Sequence, residues 1–230
     1  MSAGPSFRVV VVGGHTRSIG KTQLVCDVIS AFPEARWIAG KITQFGHGVC
    51  AQNGENCDCA PSEHSAALDW EVHSETGTDS ARFLAAGARR SLWLRTKQGY
   101  LAEGLPLLRA ALREAAAAGG EEPLNLILES NSLLKFLKPS LFLVVLAPGK
   151  ADFKESARLV LDRADAIVMR DALPSSSSRI SEAAHAWGGG VPGQLWKAKP
   201  CFVQREGEAL PGGVRDLVTD LLRAEGIPQI

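Results

Sequence analysis

Continuous apolar runs alternate with amphipathic stretches along most of the chain, and that rhythm predicts its elements. Val9 to Val12 is an unbroken β-branched run, the pattern of a strand buried on both faces of a parallel sheet. After a glycine-rich loop, Leu24, Val25, Val28, Ile29 and Phe32 recur at helical spacing. Ala35 to Ile42 reads as a second strand closing on Lys41. Residues 43–78 are polar, without a sustained period, and read as one long loop; residues 1–6 read as a loose tail. Asp79 to Arg90 then predicts a helix begun by Thr78 or Asp79, Ser91 to Arg95 a short strand, and Leu101 to Ala118 a helix stopped by Gly119 and Gly120. Leu124 to Leu128 is a strand with Glu129 at its end. Leu141 to Leu146 is a further core strand, followed by a helix over Asp152 to Ala164. Ala166 to Met169 reads as a strand ending at Arg170 and Asp171, and Ser175 to Ser178 as the cap of a helix through Trp187. Cys201 to Val203 is the last strand and Val214 to Ala224 the closing helix. Strands and helices alternating in this way predict an α/β fold, a doubly wound, mainly parallel sheet in one domain spanning residues 1–230, without internal repeats.

The chemistry concentrates between the first strand and the first helix. Gly20-Lys21-Thr22 closes the loop and opens the helix, the context of a phosphate-binding (Walker A) loop. A helix's first turn leaves backbone N–H groups without partners, and the loop folds more of them around the same point. Gly14, His15, Thr16, Arg17, Ser18, Ile19, Gly20, Lys21, Thr22 and Gln23 are the candidate nucleotide-binding positions. Lys21 would neutralise the β- and γ-phosphates, and the Thr22 hydroxyl would hold Mg²⁺. The usual spacing, G-x-x-x-x-G-K-S/T, puts a glycine where this chain has His15; counting from Gly14, the loop is one residue longer. The bland alternative is an ordinary β-to-α turn with a surface lysine. The longer loop resembles that of the dethiobiotin synthetases.

Four further groups of residues are candidates. Glu129 ends a strand where an acid can organise Mg²⁺, alternatively capping the next helix. Lys21 and Glu129 are thus the candidate catalytic pair. Asp79 is either a helix cap or a second Mg²⁺-side ligand, and Lys41 either snorkels to solvent or meets an anionic substrate beside Ser130, Asn131 and Ser132. His47, Cys50, Cys57, Cys59 and His64 cluster in the polar stretch. Cys50, Cys57 and Cys59 are candidate ligands of a Zn²⁺-type ion, although C-x6-C-x-C is not a zinc-finger spacing. Cys26 and Cys201 read as buried packing.

Composition narrows the classes. The 25 basic and 25 acidic residues balance, and Trp37, Trp70, Trp93, Trp187 and Trp196 are scattered, so neither charge nor stacking favours nucleic acid. No apolar run approaches the roughly 18 residues of a membrane span, and the first residues do not read as a secretory signal. Five irregularly spaced cysteines then suggest reduced thiols and a cytoplasmic protein.

Three stretches, VVVVGGHTRSIGKTQLV, GTDSARFLAAGARRSLWL and LILES, together resemble the MobB family of molybdopterin-guanine dinucleotide biosynthesis adaptors, which are P-loop NTPases. The middle stretch is the most specific of the three. The resemblance implies a three-layer P-loop sandwich, binding of GTP or ATP with Mg²⁺, slow hydrolysis, a homodimer, and a protein partner in cofactor biosynthesis. It also draws Asp79 to the phosphate and metal side. The chain departs from the family in its cysteine-bearing segment, in Ser130 after Glu129 and in its longer C-terminal part. Two other readings share the loop: an ATP-dependent ligase like the dethiobiotin synthetases, acting on a small carboxylate, and a metal-delivery GTPase using the cysteine segment. The Asn-Lys-x-Asp guanine motif is absent, and Arg170 and Asp171 lie where related proteins contact the base.

Overall fold

The computed structural model describes residues 7–45, 65–119, 124–170, 195 and 198–224. Among the described residues eight strands form one sheet: β1 (Arg8–Gly14), β2 (Trp37–Phe45), β3 (Ala66–Glu71), β4 (Arg90–Lys97), β5 (Asn125–Glu129), β6 (Leu141–Leu146), β7 (Ala166–Met169) and β8 (Cys201–Val203). Their order is β3-β4-β2-β5-β1-β6-β7-β8. Only the β3–β4 pairing is antiparallel; the others are parallel. Among the described residues the helices are α1 (Lys21–Ala31), α2 (Asp79–Ala85), α3 (Leu101–Gly119), α4 (Glu155–Arg158) and α5 (Gly212–Arg223).

Side chains alternate across the strands and so divide the core in two. Val9 and Val11 of β1 face a cluster with Leu108 and Leu112 of α3, whereas Val10 and Val12 face Leu24 and Val28 of α1, Phe83 of α2 and Val214 of α5. Helices therefore cover both faces, as a doubly wound sheet requires. The chain runs from β1 to β2, returns to lay β5 between them, then crosses β1 to build β6 and β7. In such sheets the crevice at the carboxyl ends, where the strand order reverses, is the ligand-binding place.

Several boundaries differ from expectation. The long loop is shorter than expected: β2 continues to Phe45, and Ala66–Glu71 is an antiparallel edge strand whose Leu68 and Trp70 pack on the α3-side core. The helix expected through Arg90 ends at Ala85. Gly87, at φ 105°, turns the chain while its N–H donates to the Leu84 carbonyl and that of Ala88 to Phe83, a Schellman stop. The helix expected over Asp152 to Ala164 is reduced to α4 and a 3₁₀ turn at Leu161–Arg163. Its first residues are extended instead, because the Lys154 N–H donates to the His15 carbonyl at 2.8 Å and Asp152 accepts from Thr16. Cys26 is buried as expected, but Cys201 is exposed, since β8 is the sheet's outer strand. The expected helix after Ser175, Asp171, Trp187, Trp196 and the segment with His47, Cys50, Cys57, Cys59 and His64 lie outside the described residues. No described helix is long and apolar enough to cross a membrane.

Candidate functional site

The loop between β1 and α1 emerges at the carboxyl edge of the sheet, and its root is held by a residue from another strand end. The Asn131 side-chain carbonyl accepts from the Gly14 N–H at 2.9 Å, and its amide donates to the Gly14 carbonyl at 2.8 Å. Gly13 and Gly14 are both required by close approach. A Cβ on Gly13 would lie 2.4 Å from Asn131 Oδ1; one on Gly14 would lie 2.8 Å from Lys21 Cδ. Gly14 thus leaves the channel along which Lys21 folds back, its Nζ donating to the Thr16 carbonyl at 2.6 Å.

The residue that lengthens the loop turns inward. His15 is fully buried, its Nε2 3.2 Å from the Lys150 carbonyl and its ring against Phe153, and burial lowers its pKa so that the ring is neutral at pH 7. Thr16 donates to Asp152, Lys150 Nζ donates to the Ser18 carbonyl at 3.0 Å, and Arg170 Nη2 donates to the Gly20 carbonyl at 3.1 Å. The loop is therefore braced by the β6 and β7 strand ends. Ser18 and Gly20 take positive φ, 49° and 87°. Helix α1 starts at Gly20 with no side-chain cap and no acidic residue in its first turn. No side chain of its own first turn therefore offsets the positive end of its dipole. Gln23 instead faces outward, where it accepts from Arg82 and donates to Asp27.

Beside the loop lies a charged cluster. The Thr22 hydroxyl donates to Glu129 Oε2 at 2.7 Å, while Lys41 Nζ lies 2.5 Å from Glu129 Oε1 and 2.8 Å from Asp79 Oδ2. Lys41 and Glu129 are register partners on the adjacent strands β2 and β5. Asp79 is available because Thr78 caps α2, accepting from the Ala81 N–H at 3.1 Å. Burial would lower the Lys41 pKa, but Glu129 and Asp79 outweigh it and hold the ammonium charged. Burial likewise works to raise Asp79, and Lys41, with Thr22 and Arg82, brings it below its ordinary value. For Lys21, burial dominates and pushes the pKa down to about 8, against the pull of Glu129.

Ser130 and Asn131, expected on the substrate side, are engaged with the protein itself. Ser130 Oγ accepts from Leu133 N–H at 3.2 Å, and Asn131 clamps Gly14. Arg170, expected near a base, packs on Gly20 and reaches Asp27 at 3.8 Å. Glu71 was missed from the sequence: its Oε2 accepts from both Thr78 and Ser80 at 2.9 Å, fixing the start of α2 and hence Asp79. An acid closing an alternating segment just before a Thr-Asp-Ser helix start was the available signal. Among the described residues no group of three or more His, Cys, Asp or Glu could hold a metal ion. The cysteine-bearing stretch is bounded by Phe45 and Ser65, whose carbonyls accept from Gln98 and Lys97, so both flanks lie at the same sheet edge as the loop.

No family model and no curated protein matches the sequence. Among solved structures, the chain is similar to HypB from Helicobacter pylori in complex with nickel. The TM-score is 0.53 and the identity 15%, over 94% of this chain and 86% of that one. At that identity the likeness is one of fold, a mainly parallel α/β sheet with helices on both faces.

Proposed function

We propose that this chain binds a nucleoside triphosphate with Mg²⁺ at the loop from Gly14 to Gln23 and hydrolyses it slowly. The observation that carries this is the convergence, at one sheet edge, of an uncapped helix N-terminus, the folded-back Lys21 and the Thr22–Glu129 pair. Backbone amides from His15 to Lys21 grip the phosphates, and Lys21 adds a charge that hydrogen bonding alone does not supply. Thr22 and Glu129, with Asp79 beside them, form an all-oxygen set suited to a hard cation such as Mg²⁺, which when bound offsets charge on the phosphates. Hydrolysis then rests on positioning and electrostatics, and no residue is assigned as general base. The likeness to the MobB family gives the biological setting: a dimeric, cytoplasmic adaptor that assists the synthesis of a molybdenum or related cofactor.

Titration of wild type and Lys21→Ala with GTP and with ATP, each with and without Mg²⁺, tests the reading and identifies the base. Wild-type binding that strengthens with Mg²⁺ and falls at least about tenfold in the variant is expected. Equal affinity in both proteins refutes it.

One observation favours a second reading, metal delivery by a GTPase. The flanks of the cysteine-bearing segment open on the nucleotide side, and the structural neighbour was solved in complex with nickel. Metal content of the purified chain, compared with Cys57→Ser/Cys59→Ser and with and without nucleotide, decides it.

A further inference from the structure

We infer that Lys41 makes uptake of the divalent cation conditional on nucleotide: its ammonium takes the carboxylate oxygens that free Mg²⁺ would need, and the metal enters only together with a triphosphate. The inference rests on the nucleotide reading above and goes further, by assigning a role to a lysine that reading leaves aside.

The oxygens can be accounted for one by one. Glu129 directs Oε2 to the Thr22 hydroxyl and Oε1 to Lys41; Asp79 directs Oδ2 to Lys41, lies within hydrogen-bonding reach of the Thr22 hydroxyl, and has Oδ1 4.0 Å from Arg82. Lys41 and Glu129 are largely withdrawn from water, their side chains 17% and 3% exposed, so solvent screens their pairing weakly. The charges point the same way. Lys21, Lys41 and Arg82 more than offset Glu129 and Asp79, leaving no net negative charge to attract a bare divalent ion. A cation bridging the two carboxylates would have to lie within a few ångströms of the Lys41 ammonium, which the sheet register brings beside Glu129. A triphosphate tail removes the conflict. It brings negative charge to match the metal's and supplies oxygens to which the Lys41 ammonium can turn.

Binding of Mn²⁺, read by the loss of the free-ion electron paramagnetic resonance signal, tests this without reference to turnover. It is run on the full chain with metal alone and with the β,γ-imido analogues of GTP and ATP. Wild type should show no saturable site for Mn²⁺ alone and one site with an analogue. Lys41→Met, similar in length but uncharged, should gain a nucleotide-independent site, tighter on the order of 10–100-fold. Glu129→Gln in the same chain should abolish that site. If Lys41→Met does not fold, Lys41→Gln, whose amide can still donate to a carboxylate, reads the same contrast. Free Mn²⁺ bound equally by wild type and the uncharged variant overturns the inference. Failure of wild type to bind either analogue overturns the nucleotide reading instead, and the variant's gain of free metal separates the two.

Discussion

Replacing Gly13 with alanine should be among the most damaging small changes this protein can suffer, and the reason lies in two neighbours. The new Cβ would sit 2.4 Å from Asn131 Oδ1 and 2.8 Å from Phe142 Cε2. Phe142 is 1% exposed within the core and has nowhere to retreat, so Asn131 must give way. Overpacking of this kind costs about 1–3 kcal/mol. Displacing Asn131 also breaks its two hydrogen bonds to Gly14, at about 1 kcal/mol each, for a total of about 3–5 kcal/mol. Asn131→Ala alone breaks the same two bonds and costs about 2 kcal/mol. In the double variant the bonds are lost once, not twice, and the truncated side chain no longer opposes the new methyl. The double change should therefore cost less than the sum of the single changes by at least about 2 kcal/mol. Urea unfolding followed by tryptophan fluorescence, to which the buried Trp37 contributes, measures all four corners, with unchanged slopes confirming two-state behaviour. Additivity within about 0.5 kcal/mol would refute the claim that Gly13 is glycine because Asn131 must reach the loop's root.

Two further outcomes are expected. Because burial brings Lys21 to about 8 and a bound anion would favour its charged form, triphosphate binding takes up a proton above that pH. Affinity should be level below about pH 8 and fall by roughly tenfold per unit above it, while Lys21→Arg stays flat, measured by calorimetric titration. Thr78→Ala removes the α2 cap and one partner of Glu71, and should cost about 1–2 kcal/mol in thermal unfolding, with Thr78→Ser near wild type.

What the sequence discloses and what it hides divide by range. The strands at Val9 to Val12 and Leu141 to Leu146 are legible because both faces are buried and their apolar runs are unbroken. Lys21 and Thr22 are legible from the Gly20-Lys21-Thr22 triplet set between a strand and a helix, and Glu129 because it ends an apolar run. Strand β3 is harder to see: it buries only one face, and its two large apolar residues, Leu68 and Trp70, stand in polar surroundings. The stop at Gly87 depends on a positive φ that one glycine in an alanine-rich stretch does not advertise. The bracing of the loop is hidden most of all. Asn131 meets Gly14 across 117 positions, and Arg170 meets Gly20 across 150, so no local pattern announces either. Paired small residues at a strand end, Gly13 and Gly14, are the only trace of a side chain lying against the backbone. His15 shows the same limit in reverse, since a polar residue of the loop between β1 and α1 proves to be fully buried against Phe153.

Strand β1 lies between two parallel neighbours and well inside both edges of the sheet, with Val10 to Val12 sealed from water. Its amide protons can exchange with solvent only when the whole sheet parts, whereas β3 and β8 can fray singly at the rims. The root of the loop is thus as durable as the molecule. Deuterium uptake should therefore report ligand cycling in the tip, Thr16 to Gly20, against a reference a few residues upstream that does not move.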